Sequence, residues 1–298
     1  MKIGYSIPSN QGVGDTAALV KLGTLAEELG CNSVWTSEHL FHSSYIADRL
    51  GDLPYWEPLT ILTAIAAVTS RVRLGTSVLV LPWHDPPRLG KTVATLDHLS
   101  GGRVDLGVGV ATTEDEFANL GVDFKTRGRR ANEVLGALQA LWTQDAPSFE
   151  GAFYRYDGLK FSPKPLQKPY SPILVGGSSP AAMRRIVTYG DGWHTLRQSP
   201  DEVAAGLASL QAMMRQGGRD PAALKVSISA PLQFDKAPND RPPGERRALR
   251  GTEADIAATL QAFAAAGVQE VVVSIASKDP AFHEARLTRL MTRVAPML

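Results

Sequence analysis

VRLGTSVLVLPWHDPPRLGKTVATLDHLSGGRVDLGVGV, Val72 to Val110, holds one complete strand–helix–strand unit. Val72 to Leu81 alternates apolar residues and then runs continuously apolar, which reads as a strand. Pro87 to Leu99 reads as a helix with tandem prolines at its start, where a missing N–H costs nothing. Gly101 and Gly102 stop it, and Arg103 to Val110 is the next strand. Strands that are apolar on both faces belong in a parallel sheet covered by helices.

The same rhythm extends in both directions. Upstream, Ile3–Ile7 and Ser33–Thr36 read as strands, and Asp15–Leu29 and Pro58–Thr69 as helices. Downstream, a helix from Arg129 to Trp142 precedes an interruption with five prolines, Pro147 to Pro172, read as a short hairpin and a surface crossing. The alternation then resumes with strands at Ile173–Val175, Gly192–Thr195, Lys225–Ala230 and Val271–Ile275. Between and after them come helices at Pro180–Tyr189, Asp201–Gln216, Glu253–Ala266 and Pro280–Val294. Eight such units imply an α/β fold, a (β/α)8 TIM barrel. It is expected to span 1–298 as one domain, with an insertion around 147–172 and a possible lid around 235–250. The alternative is a doubly wound sheet, but IPSNQGVGD lacks the dinucleotide fingerprint its first unit should carry.

The 31 basic and 30 acidic residues leave a net charge of +1, which excludes a nucleic-acid binder that works by phosphate neutralisation. The single cysteine, Cys31, precludes a disulfide within the chain and fits a cytoplasmic setting. MKIGYSIP lacks the apolar core of a signal peptide. The most apolar run, Leu59–Val68, is too short to span a bilayer, so no membrane association is expected.

In a barrel of this kind, chemistry gathers at the C-terminal ends of the strands. There the second strand runs into VWTSEHLF, with Glu38 beside His39. This pair is either a general acid–base group or a polar anchor for a loop. GGSSP, Gly176 to Pro180, precedes a helix; its backbone suits a phosphate, or Ser178 or Ser179 simply caps the helix. GVGVATT has Thr112 where a dinucleotide fingerprint needs its third glycine, so Gly107 and Gly109 more plausibly admit a planar ligand or a neighbouring strand. His39 and His42 form the only close histidine pair and lack a metal-site context, and no G-x-S-x-G hydrolase signature is present.

Taken in order, KIGYSIP, VWTSEHL, RVRLGTSVLVLP, LDHLSGGRVDLGVGV, EFANLGVDFKTRGRR, SFEGAFYRYDG, PILVGGSSPAAMRRIVTYGDGWHT and RGTEADIAATLQAFAAAGVQEVVV resemble the luciferase-like flavin and deazaflavin oxidoreductases across nearly the whole chain. The resemblance implies the same (β/α)8 barrel. It places Glu38-His39 against the ring of coenzyme F420, although the usual acid in that position is Asp. It further implies a non-prolyl cis peptide at Ser77-Val78 behind the ring, Val110-Ala111 near the ring, and Gly176, Gly177, Ser178 and Ser179 around the cofactor phosphate. The acidic proton donor that sugar-phosphate-oxidising relatives carry after the fourth strand has no counterpart, because Ala111-Thr112-Thr113 precede Glu114.

The acid–His pair and LGVGV resemble the F420 branch more than the FMN branch. The expectation is hydride transfer between F420 and a small-molecule substrate, with His39 handling the proton and Glu38 orienting His39. The alternatives are an FMN-dependent monooxygenase fed by a separate reductase, and a non-catalytic flavin-binding protein. A homodimer is implied by resemblance alone. Arg241, Arg246, Arg247 and Arg250 in the lid segment are either solvated or reach the acidic cofactor tail. Phe41, Tyr45, Tyr55, Trp56, Trp83 and Trp193 are expected in or near the loops of the same face, as pocket wall, packing or subunit interface.

Overall fold

The computed structural model describes residues 1–43, 45–237 and 241–298. Eight strands form the ring: β1 (Lys2–Ser6), β2 (Ser33–Thr36), β3 (Arg73–Thr76), β4 (Val104–Gly109), β5 (Ile173–Gly176), β6 (Gly192–Leu196), β7 (Lys225–Phe234) and β8 (Glu270–Ser274). Each pairs in parallel with the next, and β1 closes the ring on β8 with Lys2 opposite Glu270 and Tyr5 opposite Val273. Around it lie α1 (Thr16–Glu28), α2 (Tyr45–Leu50), α3 (Pro58–Val68), α4 (Pro86–Leu99), α5 (Glu114–Asn119), α6 (Arg127–Thr143), α7 (Pro180–Tyr189), α8 (Pro200–Gln216), α9 (Glu253–Ala265) and α10 (Pro280–Arg289). The fold is the (β/α)8 barrel.

Strand period decides what each residue buries. Ile3, Tyr5, Val34, Leu74, Leu106, Val108, Val271 and Val273 join helix residues such as Leu19, Leu62 and Val93 in one large apolar cluster. Each such side chain contributes about 1.5–3 kcal/mol when removed from water. The alternate positions build a different interior. Trp35, Leu174 and Val272 form a separate buried cluster. His194 stacks on Trp35 at 4.7 Å between centroids and 6° between planes. Opposing positions are glycine because the indole takes the space. A Cβ at Gly75 would overlap the Trp35 indole, and one at Gly4 would lie 3.0 Å from its nitrogen.

The apolar run Val72–Leu81 is not one strand. β3 ends at Thr76, the Ser77–Val78 peptide is cis, Leu79–Val80 rejoins the sheet against β4, and Leu81–Trp83 is a 3-10 turn. Gly107 makes the close approach possible: a Cβ there would overlap the Thr76 carbonyl oxygen, while Thr76 Oγ1 donates to the Gly107 carbonyl at 2.7 Å. Of the two readings of these glycines, the geometry shows the neighbouring strand.

In the insertion, Phe149–Glu150 pairs antiparallel with Arg155–Tyr156. The Glu133 carboxylate accepts the Ala152, Phe153 and Tyr154 amides of the loop between them. Residues 238–240 of the expected lid lie outside the described residues. The rest of it packs on the barrel. Leu249–Gly251 pairs with the end of β7. Arg246 donates to the Asp255 carbonyl and Thr259 Oγ1, and Arg247 pairs with Glu202. These contacts leave Arg246 and Arg247 engaged within the fold, against the reading that they reach a cofactor tail. Among the described residues no helix is long and apolar enough to cross a membrane.

Two outcomes follow from the packed interior. Gly75→Ala is expected to destabilise the fold by about 1–3 kcal/mol through overpacking. Most of that penalty should vanish when Trp35 is Leu, a coupling that a double-mutant cycle of urea melts would read. His194 is fully buried, and burial lowers its pKa from 6.5 to about 4. The unfolded chain binds that proton more tightly. The stability His194 contributes is therefore complete above about pH 6.5 and lost as pH falls toward 4, a swing of about 3 kcal/mol. Urea melts between pH 7.5 and 4.5 should show a shallower decline for His194→Gln. The slope should not vanish, because burial also holds His283 below its ordinary value.

Candidate active site

A cleft of about 420 Å³ opens at the C-terminal ends of the strands. Its lining includes Asn10, Ser37, Glu38, His39, Tyr45 and Tyr55 on one side and Ser77, Val78, Ala111 and Arg197 on the other. A larger groove, about 700 Å³, lies outside the ring between α1 and the start of α10, with Asp15, Lys21 and Glu28 on its wall. It lies away from the strand ends and holds no histidine, so the smaller cleft is the candidate site.

His39 and Glu38 leave the end of β2 in different directions. Glu38 is buried, and its carboxylate accepts the Val80 amide at 2.6 Å and faces His84 Nε2 at 3.0 Å. Burial pushes the His84 pKa down, but the Glu38 hydrogen bond and charge outweigh it and hold His84 above its ordinary value. Glu38 thereby ties the segment after the cis peptide to the end of β2. It makes no hydrogen bond to His39, so the expected orienting contact is corrected here.

The carboxylate on His39 is Glu116 of α5, at 2.6 Å from Nδ1. Glu116 is buried and also accepts Thr113 Oγ1 at 2.7 Å and the Leu40 and Phe41 amides at 3.0 and 3.3 Å. Burial opposes its charge, but the His39 and Thr113 hydrogen bonds and the Phe41 amide hold its pKa below the ordinary value. An ionised Glu116 can only accept, so Nδ1 carries the proton of neutral His39. Nε2 then presents a lone pair toward the Tyr45 hydroxyl, 3.0 Å away. The imidazole is further boxed by the edges of Tyr55 and Trp83, at 5.5 and 6.2 Å between centroids.

Ser77, at the cis peptide, is 2.8 Å from His194 Nε2, and His194 Nδ1 is 2.8 Å from Ser227 Oγ. The cleft floor thus rests on the aromatic stack inside the barrel. Ala111 and Arg197 on its rim have φ of 52° and 58°, a region non-glycine residues rarely occupy. Val110 packs against the main core. Gly176 abuts the floor, since a Cβ there would lie 3.2 Å from Val78 Cγ1. Gly177, with φ of 100°, and Ser178 are exposed. Ser179 is the N-cap of α7 and accepts the Ala182 amide at 3.2 Å, so its side chain has a structural task. Of the aromatic residues, Tyr45 and Tyr55 line the cleft, while Trp193 is buried and donates to the Gly177 carbonyl at 2.8 Å.

The sequence reading missed Glu116. Its signal is the T-x-x-E spacing of Thr113 and Glu116 ahead of the apolar Phe117; here the Thr113 hydroxyl donates to the Glu116 carboxylate and makes no cap bond to the backbone.

The model of the luciferase-like monooxygenase family matches residues 1–241. The chain belongs to this family. It is 35% identical over 224 residues to an uncharacterised protein of Mycobacterium tuberculosis, covering 71% of this chain and 77% of that one. It is 32% identical over 213 residues to an FMNH2-dependent dimethylsulfone monooxygenase of Pseudomonas putida, covering 70% and 56%. It is 33% identical over 198 residues to an F420-dependent glucose-6-phosphate dehydrogenase of Amycolatopsis mediterranei, covering 65% and 56%. The crystal structure of monooxygenase RslO1 from Streptomyces bottropensis superposes with a TM-score of 0.84 at 24% identity over 99% of each chain, which shows the shared fold. Family relatives therefore include users of both FMN and F420.

The Glu116 contact has a spectroscopic consequence. In ¹⁵N-labelled protein near pH 8, His39 should show the Nδ1–H tautomer. Glu116→Gln can donate its amide to Nδ1 and should shift the population to Nε2–H. An unchanged tautomer would mean that Glu116 does not orient His39.

Proposed function

We propose that this protein is an oxidoreductase that transfers a hydride between coenzyme F420 and a small organic substrate, with His39 moving the accompanying proton. The observation that carries this is the His39–Glu116 pair at the wall of a strand-end cleft, with Nε2 3.0 Å from the hydroxyl of Tyr45, which lines the same cleft. The residues fit a flat ring. The cleft is of a size that takes such ligands, the Ser77-Val78 peptide and Ala111 offer a floor, and His39 and Tyr55 offer a polar wall. Gly176, Gly177 and Ser178 would take the phosphate with backbone amides at the start of α7.

When bound, the reduced deazaflavin supplies a hydride and the oxidised form accepts one. The chain supplies the rest. With Glu116 ionised, His39 Nε2 can remove a hydroxyl proton as a substrate alcohol is oxidised. Protonated His39 returns it in the reductive direction, and Glu116 stabilises the imidazolium. Tyr45 must release Nε2 for either step. Glu38 holds the loop after the cis peptide in place and is a positioning residue in this scheme. We further propose that a separate reductase or dehydrogenase exchanges electrons with the cofactor and that the chain acts as a homodimer.

A second reading is a monooxygenase using reduced FMN, favoured by the 32% identity to the dimethylsulfone enzyme. Parallel fluorescence titrations of the apoprotein with F420 and FMN, each oxidised and reduced, separate the two. Selective F420 binding is expected; preference for reduced FMN would overturn the F420 assignment. In an F420-coupled assay His39→Ala should lose about 10²–10⁴-fold in turnover with cofactor affinity little changed. Full turnover by that variant would remove His39 from the mechanism.

A further inference from the structure

The cleft has a charge pattern that the proton chemistry does not use. Among the described residues its one lining carboxylate, Glu38, is buried and committed to Val80 and His84. Two guanidinium groups also line it, Arg49 of α2 and Arg197 at the end of β6, and both residues are exposed. Neither forms an ion pair among the described residues, although Asp48 is next to Arg49 in α2 and Asp52 follows that helix. Arg49 uses Nη1 on the Asn10 carbonyl at 2.7 Å and Gln11 Oε1 at 3.2 Å. A guanidinium has five N–H donors, so most of its fork stays open. Burial raises the Tyr45 phenol, Arg49 and then Arg197 pull it back, and the Glu116 carboxylate, already committed to His39 and Thr113, pushes it up, so both arginines lie within electrostatic reach of one hydroxyl. The apolar part of the wall comes from Val78, Val80 and Leu196, the last 45% exposed.

We propose that the cleft takes an organic anion with an apolar body, its head group held between Arg49 and Arg197 and its body laid against Leu196 and Val78. The proposal deepens, and rests on, the reading of this cleft as the oxidoreductase site. Two guanidinium groups on one cleft, without ion-pair partners among the described residues, favour a carboxylate or sulfonate and disfavour a cationic substrate. An anion could also arrive as the phosphate of a cofactor, so the test has arms for both sources.

Hexanoate and its neutral counterpart 1-hexanol would be titrated by calorimetry into cofactor-free protein at low salt. Hexanoate should bind at least about tenfold more tightly than hexanol. Arg49→Gln and Arg197→Gln should each erase about tenfold of hexanoate affinity while leaving hexanol unmoved. Equal affinity for the two probes, no measurable hexanoate binding, or hexanoate binding that survives both substitutions would overturn the proposal. FMN and riboflavin would then be titrated against wild type and both variants. A loss confined to FMN assigns the arginines to a cofactor phosphate and also overturns it. Equal retention of both supports it. A wild type that binds neither flavin nor F420 removes the oxidoreductase reading, yet the hexanoate preference is measured without cofactor and still decides the anion site.

Discussion

Trp35 and His194 lie face to face inside the barrel, 4.7 Å apart, and the strands around them carry glycines where the indole needs room. A barrel of eight strands has an interior just wide enough for side chains to fill. Here two aromatic rings do much of that filling, and Leu174 and Val272 close the remainder against Trp35. The exchange is directional. Gly75 and Gly4 yield to the indole, and Ser33 accepts its N–H at 2.5 Å. His194 is held neutral by burial and offers one ring nitrogen to Ser77 and the other to Ser227. The cleft floor is therefore an extension of the packed interior. Ser77 is tied to the stack beneath it through its 2.8 Å contact with His194, and Val78 beside it lines the cleft.

On that floor, the two acids near His39 divide the work by geometry. Glu38 and His39, adjacent in the chain just after β2, face different neighbours. Glu38 turns to Val80 and His84 and fixes the segment beyond β3, while His39 turns to the cleft and meets Glu116. Glu116 is held by Thr113 and two backbone amides, so its charge is stabilised by donors that cannot leave. A buried carboxylate with that many donors keeps its proton off and fixes the imidazole tautomer. The result is an imidazole whose orientation comes from α5, not from the strand that precedes it.

What the sequence made legible follows the range of the interaction. The barrel could be read because its signals are local: apolar runs for strands, 3.6-residue stripes for helices, and glycine pairs such as Gly101-Gly102 that end them. The strand end carrying His39 could be read for the same reason. Glu116 could not, because it lies 77 residues from its partner and belongs to a six-residue helix, too short for a periodic stripe. The break in Val72–Leu81 was hidden because its cause is on the next strand, where Gly107 leaves space for Thr76. The resemblance placed the cis peptide at Ser77-Val78, which periodicity alone would have passed over. β7 runs to Phe234 because Leu249–Gly251 comes back to pair with its end, a contact no local window contains.

Charge shows the same dependence on distant partners. Arg246 and Arg247 sit in a segment that, by composition alone, reads as a mobile basic lid. Folding gives them Asp255, Thr259 and Glu202, and their N–H groups turn to the barrel. Arg49 and Arg197 carry no signal in the sequence, yet they line the cleft and form no ion pair among the described residues. The chemistry of a cofactor belongs to the cofactor, and the protein contributes position, proton control and the field around the substrate. In the proposed scheme those three contributions come from separable parts: the aromatic interior would set position, His39 with Glu116 would control the proton, and the arginine rim would set the field. A barrel built this way can keep its interior and its base while the rim residues, which support neither, change what it admits.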